Sequence, residues 1–539
     1  MYFTLCCRSG IFSHKPQKNR KIAAAPLRRC AAAASVRLVP MAPSRLAGMQ
    51  NSVVILSESI IPAMQINPKN TSRLLAGLTL LLLLLAAGRG TSMWAHQPLV
   101  ALANNFDQVR YTACLDIYPY RPGVAPSQNS YETPLEYFST QSVPDQGCYW
   151  TAELLFIAPV ALLARSRSAA AGDASVVSVR WAGALHLLVW LFSGAAFSGL
   201  WWRAQQAELA CCNAAFLALI AMDPGNTIYL NTFYAEAGAL LFLYSTVCLV
   251  LLVAQQPRRG LAIWLMISAF LLGMSKFQHL LLPLLLAMLT WAVAAIKHQP
   301  WRRAVLALGI GGAIALCLQL VNSHRDNSLN SSINLVNRTD AVLSAVLPAS
   351  ADPALTAQRL GLPTDCANFR GKSIYQLHAD PEKVCPGISA VGPAQVLGLL
   401  TSEPGTLARM FDNAPGAMLP WIPDYLGLVG ATKLAPLPAE FFSLDRLIKA
   451  PWMPYILLLL RLLAVMPLLL TARRRDSSLV LLFAVLCSAT AWSCLLIAIL
   501  GDGLIEIAKH SHLAFTAGFA FVLCMPLVWL LRQLRGVRA

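Results

Sequence analysis

Charge is scarce in this sequence: Asp, Glu, Lys and Arg together make up 12% of its 539 residues, about half the share of an ordinary soluble domain. That shortage, with a mean hydropathy of +0.57, excludes an aqueous globule. Acidic residues are the rarer sign, 25 against 42 Lys and Arg, which leaves a net charge of +17. A nucleic-acid partner is excluded even so, because the basic residues build no face interleaved with aromatics. They lie in an N-terminal tail and in short loops between apolar runs, as the positive-inside rule expects. Also lacking are a Walker loop and a G-x-G-x-x-G after a strand. The first seventy residues show neither a sustained period nor the compact apolar core and cleavage site of a signal peptide. Residues 1–71 are therefore read as a basic, disordered tail, or as sequence upstream of a true start at Met49 or Met64.

Apolar runs are what the chain has in quantity, and a bilayer crossing needs about 20 residues. They start with "SRLLAGLTLLLLLLAAG" (72–88) and recur at about 150–164, 181–202, 208–222, 237–254, 261–274, 278–296, 304–320, 453–470, 478–500 and 513–531. The expected fold class is an all-α integral membrane protein with about ten transmembrane helices and two large outer helical segments. "QQPRRG", "IKHQPWRR", "TARRRDSS" and the final "RQLRGVRA" are placed on the cytoplasmic side. Counting helices between them then puts "SKFQ" (275–278), 321–452 and "GDGLIEIAKHSH" (501–512) outside. Upstream the parity fails by one. With 165–180 placed inside, either 181–202 or 208–222 does not cross. The chain divides into 1–71, an N-terminal transmembrane module 72–320 that includes a first outer loop 89–149, a long outer segment 321–452, and C-terminal helices 453–539.

Loops of such length rarely lack structure or function. Each outer segment holds two cysteines, Cys114 with Cys148 and Cys366 with Cys385, and an oxidising outer compartment makes both pairs candidate disulfides. Polar residues gather in three outer clusters: "NNFDQVRY" with Asp107 and Arg110; "DPGNTIYLNTFYAEAGALLF" with Asp223, Asn231, Tyr234 and Glu236; and "GDGLIEIAKHSH" with Asp502, Glu506, Lys509, His510 and His512. Lys276 and Gln278 form a smaller fourth element. Plainer readings stand beside these. Asp107 and Arg110 make a surface ion pair, Asp223-Pro-Gly a turn, and Lys509 and His510 anchors that snorkel to the interface. Asp502, Glu506 and Lys509 or His510 share one helical face. His510 and His512 do not, and with no third ligand evident no metal site is assigned.

Carboxylates and cations at headgroup depth suit glycosyl transfer from a lipid-linked sugar phosphate. The donor phosphate needs Lys, Arg or His, and the attacking acceptor hydroxyl needs a carboxylate base. "ANNFDQVR", "DPGNTIYLNTFYAEAGALLF", "VLPASADPALTAQRLGLP" and "GDGLIEIAKHSHLAF", in that order, resemble landmarks of the bacterial hexose transferases of cell-surface glycan biosynthesis, multi-pass proteins of the GT-C class. The resemblance spans about 73–531. It implies polyprenyl-phosphate sugars as donors and Asp107 as catalytic base, with Asp116 and Glu132 in reserve. Here "NNFD" replaces the family's N-N-G-D-F, and Ala237 replaces the Pro usual after the Glu. By the same resemblance Glu236 and Asp223 line the donor or acceptor pocket, Glu236 as a second catalytic carboxylate. Lys509, His510 and Arg110 hold phosphate, and Asn231, Tyr234, Lys276 and Gln278 contact substrate.

The resulting expectation is a glycosyltransferase of the bacterial inner membrane with both termini cytoplasmic. Its partners are the lipid bilayer, a polyprenyl-phosphate-linked sugar donor and a glycan or lipid-linked acceptor, with no nucleic acid. No cofactor is identified, and a divalent cation, Mg or Mn, is left open. The rivals are a transporter or flippase for lipid-linked saccharides, an O-antigen ligase or polymerase, and a non-catalytic scaffold.

Overall fold

In hydrocarbon a chain must satisfy its backbone polar groups internally, and a helix does so within one segment. The computed structural model of the chain describes residues 68–102, 106–121, 123, 136–140, 148–171, 176–324, 328–423, 426–428, 437–449, 455–471 and 478–535. The readings on residues 1–67, on Glu132 and on the Asp107 side chain fall outside the described parts. The principal helices are α1 (Pro68–Ala95), α2 (Phe106–Thr112), α3 (Leu154–Ala171), α4 (Arg180–Arg203), α5 (Ala207–Phe216), α6 (Pro224–Thr227), α7 (Ala235–Gln255) and α8 (Arg259–Ser275). They continue with α9 (Leu282–Ile296), α10 (Arg302–His324), α11 (Ser328–Asp340), α12 (Tyr455–Thr471), α13 (Ser478–Asp502), α14 (Ile507–His510) and α15 (His512–Leu534).

Among the described residues, seven helices are long and apolar enough to cross a membrane: α1, α4, α7, α9 with the 3-10 turn Phe277–His279 before it, α10, α13 and α15. The shorter apolar helices α8, α12 and α5, the last extended by a π-helical turn Leu217–Ala221, run among them. Small residues let helices approach closely where no water is squeezed out. A Cβ on Gly311 of α10 would stand 2.3 Å from Met266 O of α8, and one on Gly273 would stand 2.6 Å from Ala315 Cβ.

Contacts sort the helix ends into two sets. At one end Lys297 Nζ donates to Thr471 O (3.0 Å), and Glu208 receives Arg532 and Arg535; this is the end of the basic loops. At the other, Arg180 donates to Trp94 O and His96 O, Asn322 bonds Trp150, and Lys276 meets Glu236 and His510. The polar stretches 223–236, 275–279 and 501–512 therefore share one end, as the parity of the later helices requires.

The upstream parity resolves at neither of the two runs in question. α4 and α5 both pass from end to end, with Arg180 and Asp223 at the polar end and Glu208 at the basic one. The run at 150–164 is the one that does not. α3 begins where Thr151 Oγ1 donates to Ser275 O (2.7 Å), and further along it Arg165 still reaches Leu115 O and Asp116. Arg165 thus lies at the polar end, not at the cytoplasmic end assigned to 165–180. Its Ile157, Val160, Ala161 and Ala164 pack on Ile117, Phe138 and Val177, while Leu155 and Leu162 stay exposed. α3 is apolar on all its faces, as a crossing helix is, so hydropathy alone misplaces it.

Among the described residues, two small antiparallel sheets, absent from the all-helical expectation, occur at the polar end. β1 (Val100–Leu102) pairs with β5 (Leu426–Leu428) in the register Val100↔Leu428. β2 (Ile117–Pro119), β3 (Tyr137–Thr140) and β4 (Val176–Ser178) form the other. The long segment after α10 folds into helices around a core of Leu343, Val346, Leu360, Cys366, Cys385 and Met410 that it shares with Leu495 and Ile499 of α13 and Phe515 of α15. Cys366–Cys385 and Cys114–Cys148 are both disulfide-bonded. Gly503, at φ +70°, seats this segment: a Cβ there would meet Ser344 Oγ at 2.3 Å and Asp340 O at 2.4 Å.

Candidate functional site

Asp223 belongs to the architecture. Its Oδ1 caps α6 through Gly225 N (2.9 Å), Pro224 follows at the first helical position, and its carboxylate also accepts from Ser443 Oγ (3.1 Å) and Leu444 N (2.9 Å) beside Arg89 at 3.5 Å. Burial pushes this carboxyl up to about 6 against the lowering pull of those donors. Gly225 lets the Trp421 ring lie flat on the turn, since a Cβ would stand 2.8 Å from it. Asn231 is likewise structural: its Nδ2 donates to Trp94 O (3.3 Å), and its Oδ1 fills the space that Gly183 leaves open.

Three residues beyond Asn231 the environment changes. Tyr234 precedes α7 in extended backbone, and Glu236 occupies the first turn, where the helix dipole favours an anion. Glu236 is 1% exposed. Lys276 leaves α8 in an extended conformation (φ −147°, ψ 150°), which turns its side chain inward to place Nζ 2.5 Å from Glu236 Oε1. Glu236 Oε2 is buried and has no hydrogen-bond partner among the described residues.

The last landmark closes on this pair. Lys276 Nζ lies 3.4 Å from His510 Nδ1, and Gln278 brackets His510 through its ring nitrogen (3.1 Å) and its carbonyl (3.2 Å). His510 Nε2 meets Asp502 Oδ2 at 2.7 Å and Glu506 Oε2 at 3.7 Å. Burial disfavours the imidazolium and Lys276 repels it, yet Asp502 and Glu506 outweigh both and raise the His510 pKa. Lys509 Nζ pairs with Glu506 Oε2 (2.5 Å) and stands 5.6 Å above the Tyr234 ring. His512 Nε2 reaches Glu236 O at 3.3 Å. Asp340 accepts from Ile374 N (2.8 Å), and burial, helped by Asp502 and Glu506, pushes it up to about 7.

Glu236, Tyr234, Lys276, Gln278, Lys509 and His510 are thus brought together. Arg110 is placed apart, 4.9 Å from the Tyr111 ring and 6.0 Å from that of Tyr149. Asp107 lies in α2, whose next residue Gln108 accepts from Phe233 N (2.7 Å), so its backbone runs alongside the entry to α7. Asp116 pairs with Arg165 at 3.4 Å. Sequence reasoning did not assign Asp340, Glu153 or His186. It noted Asp502 and Glu506 only as sharing a face; their spacing of four to each other and to His510 was the signal. These three offer ligand atoms within 4.8 Å of one another, the group among the described residues that could hold a cation once His510 is deprotonated.

An apolar cavity of about 800 Å³ begins directly below, bounded by Leu240, one turn along α7 from Glu236, and by Thr516, one turn along α15 from His512. It continues between α5, α7, α12, α13 and α15, past Tyr244, Cys487 and Phe521, to Trp529 and Arg532. Among known proteins, residues 69–538 match the family described as the YfdI N-terminal transmembrane domain. No curated protein and no solved structure matches.

Proposed function

We propose that this chain, which belongs to the family of the YfdI N-terminal transmembrane domain, is a bacterial membrane glycosyltransferase of GT-C type that moves a hexose-like sugar from a polyprenyl-phosphate donor. The acceptor is a cell-surface glycan or its lipid-linked precursor. On this reading α1, α4, α5, α7, α8, α9, α10, α12, α13 and α15 cross the inner membrane, both termini are cytoplasmic, and the polar end faces the periplasm.

One observation carries the proposal. Glu236 has one oxygen fixed by Lys276 and the other buried without a hydrogen-bond partner among the described residues, one helical turn from Leu240 in the wall of an apolar cavity. A general base needs an acceptor oxygen that no other donor already occupies, and an isoprenoid chain needs such a cavity. The acceptor oxygen attacks the anomeric carbon, its proton passes to a carboxylate, the bond from that carbon to the phosphate oxygen breaks, and polyprenyl phosphate leaves. Lys276, Lys509 and His510 supply positive charge for that phosphate. Each already faces a carboxylate, so donor binding rearranges these pairs. Asp107, beside the α7 entry, is the second carboxylate of the reading.

The test is transfer from a polyprenyl-phosphate hexose by purified protein in liposomes. Glu236→Gln is expected to lower the rate by about a hundredfold or more; it also leaves Lys276 without its carboxylate and lowers stability, so rates are compared per folded protein. Asp107→Asn, assayed alongside, decides which carboxylate is the base. Wild-type protein that transfers no sugar yet moves a lipid-linked saccharide between leaflets would establish the flippase in its place.

A further inference from the structure

The turn that leads into α3, Tyr149 to Glu153, grips both segments that carry the Glu236–Lys276 pair. Tyr149 donates to Gln319 Oε1 (2.7 Å), and Trp150 N to Asn322 Oδ1 (3.1 Å), which fastens the turn to α10. Ala152 N donates to Met274 O (3.0 Å), and Thr151 Oγ1 to Ser275 O (2.7 Å), the two residues before Lys276. Glu153 Oε2 accepts from Gly238 N (3.2 Å), two residues after Glu236. Its Oε1 stands at an ion-pair distance of 2.8 Å from His186 Nε2, without hydrogen-bond geometry, both side chains being fully buried. His186 is itself fixed: Nδ1 donates to Leu230 O (3.1 Å), and the Phe156 ring stacks on it at 4.0 Å. Gly238 is required for this approach, because a Cβ there would lie 2.8 Å from Glu153 Oε2.

An acidic side chain wholly inside the helix bundle, paired with a histidine, is costly to keep. We propose that Glu153, held by His186, is a positioning residue: it sets the separation of the α7 entry from the end of α8 and thereby the geometry of the Glu236–Lys276 pair. This rests on the transferase reading for its catalytic consequence, though not for its structural one. Displacement of a reacting group by about 1 Å costs on the order of a hundredfold in rate, so the contact has leverage without touching substrate.

The experiment reads the pair before it reads turnover. Purified wild type, Glu153→Ala, Glu153→Gln and Gly238→Ala are treated with an acetylating anhydride, and modification of Lys276 is measured against Lys297 at the basic end. Lys276 is expected to be modified about tenfold faster in Glu153→Ala and Gly238→Ala, with Lys297 unchanged. Glu153→Gln is expected to stay near wild type, since its amide oxygen still accepts from Gly238 N. Equal Lys276 rates in all four proteins, or Lys276 and Lys297 rising together, overturns the proposal. In the transfer assay Glu153→Ala is expected to lose about tenfold or more in kcat with KM for the donor within about twofold, and the glutamine to recover most of it. A wild type without transfer removes the glycosyl-transfer reading and leaves the labelling result to decide the positioning role.

Discussion

At Glu236 the cost of burial sets what the side chain can be. A carboxylate this enclosed survives ionised only beside a cation, and Lys276 is that cation. Removing the lysine alone strands the charge, so Lys276→Ala is expected to destabilise the protein by about 3–5 kcal/mol and to abolish transfer; thermal unfolding in detergent measures the first. Protonation of the polar end gives a second prediction with a definite sign. Asp340, pushed to about 7, and Asp223, pushed to about 6, bind protons more tightly folded than unfolded, and so does His510. A group whose pKa rises on folding adds stability below its unfolded pKa and loses it as pH climbs through the folded one. The two carboxylates lose this contribution between about pH 4 and pH 7, so the wild type is expected to lose more stability across that range than Asp340→Asn. Identical pH profiles of thermal unfolding for the two proteins would refute it.

The residues that the sequence marks through cost are those the structure gathers. Glu236, Lys276, Lys509 and His510 stand at the ends of apolar runs, where a charge is expensive, and helix parity sends those ends to one side. Asp223 and Asn231 were marked by the same logic, but the turn chemistry of Asp-Pro-Gly accounts for Asp223. Glu153 also stands near the start of an apolar run, 150–164, but "CYWTAELL" offers no second charge to form a cluster with it. Asp340 ends α11 inside the long outer segment, whose internal fold is expected from sequence only as unspecified helices.

Helices and loops carry their own tests. α8 and α10 touch through Gly311 and Gly273, so Gly311→Leu is expected to force them apart and cost about 1–3 kcal/mol or more, read as lost detergent resistance. The disulfides close loops with sequence separations of 34 and 19, and loop-closure entropy makes them worth about 4 and about 3 kcal/mol. Reduction is expected to lower the melting temperature, and Cys114→Ser with Cys148→Ser to reproduce the larger share. The element that sequence misjudged, α3, failed for a reason general to membranes: length and hydropathy report contact with lipid, not direction through it.

For the whole molecule the two-ended sorting of contacts makes a topology statement. A cysteine at Ser166 is expected to react with a membrane-impermeant maleimide from the same side as one at Ala394, and from the side opposite to one at Gly260. Labelling of Ser166→Cys together with Gly260→Cys would restore α3 as a crossing helix. The roof over the polar end is fastened at Ser443 and Leu444 by Asp223, at Trp421 over Gly225, and at Ser344 against Gly503. Those seats oppose a swinging lid. The cavity below Leu240 and Thr516 lies between apolar helices, and what saturates such a space is a mole fraction in a sheet of lipid, not a molarity in a volume. Diluting a fixed amount of donor with inert phospholipid should therefore slow the protein as surely as withdrawing donor, whereas doubling the water around the same vesicles should change nothing.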